Sequence, residues 1–348
     1  MFGVGPKPIS LHRWPLVAVA WLVALGAQSA FADAVTDFYA GKSVTMIVAT
    51  PPGGPYDEHA RLLARHFSDH IPGHPGIIVQ NMAGATGMIA ASYVFARAPQ
   101  DGTVIGNMHN MLPLIVALGQ SSVEVDPASF NWIGNMTREV GDVILTTSAP
   151  VKTIEDAKRI EVVMGGSGPS SLGSIYPRVM NRVLGTKFRI ITGYDGANGL
   201  THALEQGEVQ GDAGDTWFSG QGRTWDWYKA GKIRILVQIG TRTPDLPDVP
   251  LLVDLAATPA DREMLELFSS PYTIGKPTAM GPKVPAERVA AIRAAYDATM
   301  TDPEFLSDAK KLGVEIAPVS GAELTALMKH LMTLPPDQVK RARAIIEP

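Results

Sequence analysis

The stretch Ala49-Thr50-Pro51-Pro52-Gly53-Gly54-Pro55-Tyr56-Asp57-Glu58-His59 decides how the rest of the chain is read. Before it, Val44-Thr45-Met46-Ile47-Val48 is β-branched and apolar and reads as a buried strand. After it, Ala60, Leu62, Leu63 and Phe67 recur at helical spacing, with Arg61, Arg65 and Asp69 between them. A strand that turns through prolines and glycines into a helix leaves backbone N–H groups directed out of the helix N-terminus. Those donors and the helix dipole together attract anions. An ordinary β–α turn has the same composition, so on this stretch alone both readings stay open.

The same strand–turn–helix order repeats downstream. Ile77-Ile78-Val79-Gln80 reads as a second strand and Asn81-Met82-Ala83-Gly84-Ala85-Thr86-Gly87 as a second glycine-rich turn. Met88, Ile89, Ala91, Tyr93 and Phe95 continue as a helix, and Asp101-Gly102 turns into a third strand at Val104-Ile105-Gly106. The alternation predicts an α/β fold with a parallel or mixed sheet. Ligands in such sheets sit beyond the carboxyl ends of the strands, where the two glycine-rich turns are expected side by side. Asp142 to Thr147 reads as a crossing into a second domain and Ile233 to Val237 as the crossing back. Between them, loops at Gly165 to Ser171, at Gly193 to Gly196 and at Gly214 to Phe218 are expected at strand ends. Beyond Pro244 the signals are helical: Asp302-Pro303-Glu304 as cap, proline and acid, Ser320 with Glu323 as a capping box, and Pro335-Pro336 as a start. They complete the first domain, which is therefore discontinuous.

Composition narrows the function. Lys7 and Arg13 precede an apolar run from Leu16 to Gly26, followed by Ala30-Phe31-Ala32, which reads as a cleavable export signal over residues 1–32. The run is too short to span a bilayer, which needs roughly 20 residues. The formal net charge is −4, and removal of the signal's two cations makes it more negative, which argues against nucleic acid or an anionic membrane as partner. The absence of cysteine excludes disulfides, thiol catalysis and zinc–thiolate sites. No nucleophile-elbow, phosphate-loop or H-E-x-x-H pattern occurs, and Gly165-Gly166-Ser167-Gly168-Pro169 has proline where an elbow needs its last glycine. His66, His70 and His74 are four apart, but Pro72-Gly73 breaks the helix between the last two, so solvated surface histidines are expected rather than a metal site. No cofactor is expected and no enzymatic activity. Among the aromatics, Trp225, Trp227 and Tyr228 read as core, whereas Trp217 and Phe218, at a loop mouth, fit pocket lining and core equally.

Several runs together resemble the receptor family of the tripartite tricarboxylate transporters, the Bug-type solute-binding proteins. They are Gly41-Lys42 through Pro52-Gly53-Gly54-Pro55-Tyr56-Asp57 to Arg61-Leu62-Leu63-Ala64, then Val79 to Gly87, Ala98 to Thr103, Gly193 to Gly196, Gly207-Glu208-Val209, and Arg242 with Leu246 to Pro250. The resemblance covers nearly all the chain after residue 32, in order. It implies a type II periplasmic binding protein fold, with residues 33–142 and 241–348 as one lobe and 143–240 as the other, joined by two hinge crossings. It further implies a monomer in the periplasm that captures a small carboxylate and delivers it to membrane transporter subunits. A sensor of the same fold and an exported hydrolase are the alternatives. By the same resemblance, one ligand carboxylate is held by Pro52, Gly53, Gly54, Tyr56, Asp57, Asn81, Ala85, Thr86 and Gly87. The far end meets Ser167, Ser170, Ser171, Tyr194, Asp195, Asp215, Trp217 and Phe218. Asp195 stands where many members carry lysine, and with Asp215 it is expected to disfavour a second carboxylate. The distal group is then neutral or cationic, or is packed on Trp217 and Phe218. Asp57 cannot grip an anion, so it is expected to cap the helix, orient a water or meet an amino group. Thr86→Pro and Gly54→Val are expected to abolish binding without unfolding the chain.

Overall fold

The computed structural model describes residues 33–121, 123–169, 171–217 and 222–347. The export signal expected over residues 1–32, and Ser170 and Phe218 of the expected site, lie outside the described residues.

Two mixed sheets organise the chain. In the first, β1 (Ser43–Val48) lies between β2 (Gly76–Asn81) and β3 (Val104–Asn107), and both pairings are parallel. β4 (Asn131–Asn135) belongs to the same sheet, whereas β5 (Val140–Thr146), β6 (Val162–Gly166), β7 (Phe188–Thr192), β8 (Gly211–Thr216) and β9 (Ile233–Gly240) form the second. The chain then rejoins the first sheet through β10 (Thr278–Met280) and β11 (Val319–Ser320), giving the orders β11-β4-β10-β3-β1-β2 and β7-β6-β8-β5-β9. β1 is SVTMIV with its last three residues buried, as a central strand covered on both faces requires. β2, at the sheet edge, is half-exposed along its length.

The helix Pro55–Phe67 buries Ala60, Leu62, Leu63 and Phe67 against the first sheet, and the Phe67 ring meets Tyr296 edge-on. Asp302 caps Pro303–Lys311 by accepting from Glu304 and Phe305 N–H, and Ser320 with Glu323 forms the expected capping box. His66 and His70 depart from the surface role expected of them. They bond Asp308 at 3.2 Å and Asp302 at 2.8 Å, tying the end of the helix Pro55–Phe67 and the turn after it to Pro303–Lys311 and its cap. In the second sheet, β8 runs on through Asp215 and Thr216 where a loop was expected at Gly214. Gly214, at φ +85°, is the extra residue of a bulge: Asp142 pairs with Asp215 and Val143 with Ala213. The strand thereby carries Asp215 onward instead of ending before it.

The crossings expected at Asp142 to Thr147 and Ile233 to Val237 fall instead on β5 and β9, neighbouring strands of the second sheet; the chain leaves the first sheet at residues 136–139 and re-enters it at residues 275–277, and these segments run beside each other. Lys276 N–H donates to Asn135 Oδ1, and Asn107 Nδ2 donates to the Lys276 carbonyl. The helix Pro259–Ile274, which precedes the re-entry, packs on β9 and carries Tyr272, whose hydroxyl donates to the Gly214 carbonyl. Gly141 has to be glycine for this contact, since a Cβ there would lie 2.5 Å from the Tyr272 ring.

Candidate ligand-binding cleft

Parallel pairing brings three strand ends to one place. Val48 of β1 lies opposite Asn81 of β2 on one side and Asn107 of β3 on the other, so the turns that follow these strands are neighbours. Asp57 and Asn81 lock the first two together. The Asp57 carboxylate accepts from Gly53 N–H, Arg61 Nε and Asn81 Nδ2, each at 2.9 Å, and Asn81 Nδ2 also donates to the Thr50 carbonyl. The Arg61 hydrogen bond holds the Asp57 pKa down at about 2; burial opposes it, and Gly53 and Asn81 reinforce it. Asp57 is 4% exposed and is thus an internal strut of the turn; the helix cap position itself is Gly54.

The second turn is unusual in its backbone. Gly84, Ala85, Thr86 and Gly87 all have positive φ, with Ala85 at +46° and the β-branched Thr86 at +51°. Such conformations cost an L-residue of order 1–3 kcal/mol and concentrate at functional loops. Gly87 (φ +83°) backs onto the third turn, where a Cβ would lie 2.4 Å from His109 Cβ. Gly54, by contrast, is extended (φ −98°) with open space at its Cβ, so a valine there meets no obstacle within the fold. Tyr56, at the start of the helix Pro55–Phe67, stacks on His109 of the third turn, centroids 5.2 Å apart, and its hydroxyl accepts from Asn110 N–H at 3.0 Å. Burial lowers the His109 pKa to about 4, so the ring is neutral at pH 7.

Between the two sheets lies a cleft with two connected chambers. The larger, about 540 Å³, is lined by Tyr56, Asn110 and Lys276 from the first sheet's side and by Asp215, Arg223 and Tyr272 opposite. The smaller, about 370 Å³, is lined by Glu58, His59, Arg138, Trp217, Val314 and Glu315, among others. Pro55, Glu139, Thr216, Gly222 and Lys276 line both. At the shared wall Lys276 Nζ is ion-paired with Glu139, both side chains 9% exposed, and Lys276 sits 5.6 Å over the Tyr56 ring. Arg223 pairs with Asp215, lies 3.4 Å from Asp212 and donates to Thr201.

Of the residues expected in the site, Tyr56, Asp215 and Trp217 line these chambers. Pro52, Gly53, Gly54, Ala85 and Thr86 lie in the flanking turns, and Asn81 and Gly87 support them. Ser167, Ser171, Tyr194 and Asp195 line neither chamber. Ser171 closes its own turn, its hydroxyl donating to the Gly168 carbonyl at 2.8 Å, and Asp195 is exposed at a helix start. Trp217 is both core and lining: it is 4% exposed, packs edge-on against Trp225 and Tyr228, and bonds Asp245 through its indole. The expectation that Asp195 and Asp215 repel a second carboxylate is corrected here, because Asp195 is outside the chambers and Asp215 is neutralised by Arg223. Lys276, Glu139, Arg223, Asn110 and His59 were missed. Lys276 left a trace in the sequence, as the lone charge between Leu267 and Pro282. The others are assembled by tertiary contact. Among the described residues no group of three or more His, Cys, Asp or Glu is placed to hold a metal ion.

Two α/β halves face each other across the cleft. Solved structures share this fold. A TctC solute-binding protein from Polaromonas aligns with TM-score 0.67 at 19% identity, covering 88% of this chain and 99% of that one. The periplasmic binding protein BugD aligns at 0.55 with 22% identity (88% and 98%), and R. palustris Rpa4515 with adipate at 0.57 with 21% (88% and 97%). Among curated proteins, a UPF0065 protein of Agrobacterium vitis is 27% identical over 221 residues, 62% of this chain and 61% of that protein. The protein BugT of Bordetella pertussis is 40% identical over 82 residues, 24% of each. The chain thus matches about three-fifths of the first relative's length and a quarter of the second's. No family model matches the chain. The solved structures share the fold of this chain, and the curated relatives that match parts of it are UPF0065 and Bug proteins.

Proposed function

We propose that this protein is a periplasmic solute-binding protein that closes its two halves over a small carboxylate-bearing solute and delivers it to a tripartite membrane transporter. The observation that carries this reading is the meeting of the start of the helix Pro55–Phe67, the turn at Asn110 and the Lys276 ammonium on one side of a 540 Å³ cleft. An anion placed there meets the helix dipole, backbone N–H groups and a fixed cation together. The left-handed turn at Ala85 to Gly87 lies alongside and offers further backbone donors. The two chain crossings at residues 136–139 and 275–277 are the proposed hinge, with the strands between them forming one lobe and the remainder the other.

A thermal-shift screen of the purified protein against mono-, di- and amino-carboxylates tests the reading. A ligand at about 100 times its Kd stabilises the folded state by roughly 2.7 kcal/mol, a clear rise in Tm. At least one small carboxylate is expected to give it. A folded protein that no carboxylate stabilises, but that an uncharged sugar does, would overturn the reading.

A further inference from the structure

The Lys276–Glu139 pair stands at three boundaries at once. It is the wall between the two chambers, its members lie on the two chain crossings, and both side chains are about nine-tenths buried. On the larger chamber's side the other charged lining groups, Asp215 and Arg223, neutralise each other. On the smaller chamber's side the other charged lining groups are Glu58, Glu315 and Arg138, and Arg138 is already paired with Glu323 at 3.3 Å. The smaller chamber is thus acidic on balance. His59 lines it too, is 8% exposed, and its Nδ1 is buried with no hydrogen-bond partner. Burial and the neighbouring Lys276 lower the His59 pKa to about 3, so the ring is neutral at pH 7 and adds no positive charge to this chamber.

A carboxylate entering the larger chamber reaches Lys276 only by competing with Glu139. If it succeeds and brings no positive charge, Glu139 is left buried beside an anion without a partner, an arrangement strongly unfavourable in a partly desolvated site. A ligand that carries an ammonium as well exchanges both partners at once. Resting on the carboxylate reading above, we propose that the Lys276–Glu139 pair is the specificity determinant of the cleft: it selects zwitterionic amino-carboxylates, whose carboxylate takes Lys276 in the larger chamber while the ammonium takes Glu139 in the acidic smaller one. Because Lys276 and Glu139 belong to the two crossings, the exchange also ties ligand charge to hinge closure.

Titration calorimetry on the full chain with three series matched in length, ω-amino-carboxylates, dicarboxylates and plain monocarboxylates of three to six carbons, tests this. The best amino-carboxylate is expected to bind at least tenfold more tightly than either acid of equal length. Glu139→Gln, which removes both the competing anion and the ammonium's partner, is expected to abolish the preference, with the plain monocarboxylate coming within about threefold of the amino-carboxylate. A merely structural role for Glu139 would weaken all three series alike. Should Glu139→Gln not fold, the double variant Glu139→Gln, Lys276→Gln keeps a neutral hydrogen-bonded pair and is expected to bind all three series within about threefold of one another. Dicarboxylates binding as tightly as amino-carboxylates to the natural protein, or a preference that survives in these variants, would overturn the proposal. Failure of every carboxylate to bind would instead overturn the functional reading beneath it.

Discussion

Replacing Asp57 by asparagine separates two roles that the site's geometry keeps apart, holding a turn and touching a ligand. The carboxylate accepts three hydrogen bonds, from Gly53, Arg61 and Asn81, and its pKa is held at about 2, against 3.8 for the free group. At about 1.4 kcal/mol per unit, this difference corresponds to roughly 2 kcal/mol in favour of the charged form. Arg61, the largest contributor, is 48% exposed, so solvent screens its share and about 1 kcal/mol is the expected loss in Asp57→Asn at pH 7. The sign follows from the depressed pKa: the contribution is present in full above the unfolded value near 4 and fades as pH falls through 2. Urea melts of both proteins between pH 7 and pH 2.5 should therefore converge toward the acid end. Because the same bonds join the first two turns, affinity for the best carboxylate should fall about tenfold, through a loosened site rather than a lost contact. Equal stability at pH 7 would refute the strut. Affinity lost a thousandfold with stability intact would place Asp57 on the ligand itself.

Other consequences follow from the backbone and from buried charge. Thr86→Gly removes the left-handed penalty at φ +51° and should raise stability by about 1 kcal/mol in urea melts, whereas Thr86→Pro, whose ring requires φ near −65°, should abolish binding; normal binding by the proline variant would exclude this turn from the site. Gly87→Ala should cost about 1–3 kcal/mol through its contact with His109, while Gly54→Val should leave the urea midpoint unchanged, since nothing lies within 4 Å of its Cβ. Asp142 is 0% exposed and neither carboxylate oxygen has a hydrogen-bond partner; burial first and Asp212 second push its pKa well above the usual range, while Arg223 opposes them. A raised carboxylate pKa makes stability fall as pH rises above about 4 toward the folded value. Asp142→Asn should therefore raise Tm at pH 7 and lose that advantage below pH 4; an unchanged Tm difference across this range would show that Asp142 does not titrate with folding.

The fold was legible because its signals are local. Val44–Val48 followed by Pro52 to Asp57, or Asp302-Pro303-Glu304, carries its own geometry, and each became the strand, turn or cap its residues imply. The bulge at Gly214 was not legible, because it depends on pairing with β5, and so a loop was expected where the strand continues. The cleft divided along the same line. Trp217 was found from its place at a loop mouth and Tyr56 through the family resemblance, yet the charges facing the cavity are set by pairings that only the folded chain makes, Glu139 with Lys276 and Asp215 with Arg223. Read singly, Asp215 was an acid in a binding site; paired, it is half of a neutral bridge.

The most direct test of the account is a crystal structure of the protein with the carboxylate that raises its Tm most. Electron density for the ligand is expected between the two sheets, its carboxylate at the start of the helix Pro55–Phe67 and within hydrogen-bond distance of Lys276 Nζ. A ligand bound outside the cleft, or one whose carboxylate points away from Lys276 and the three turns, would contradict it.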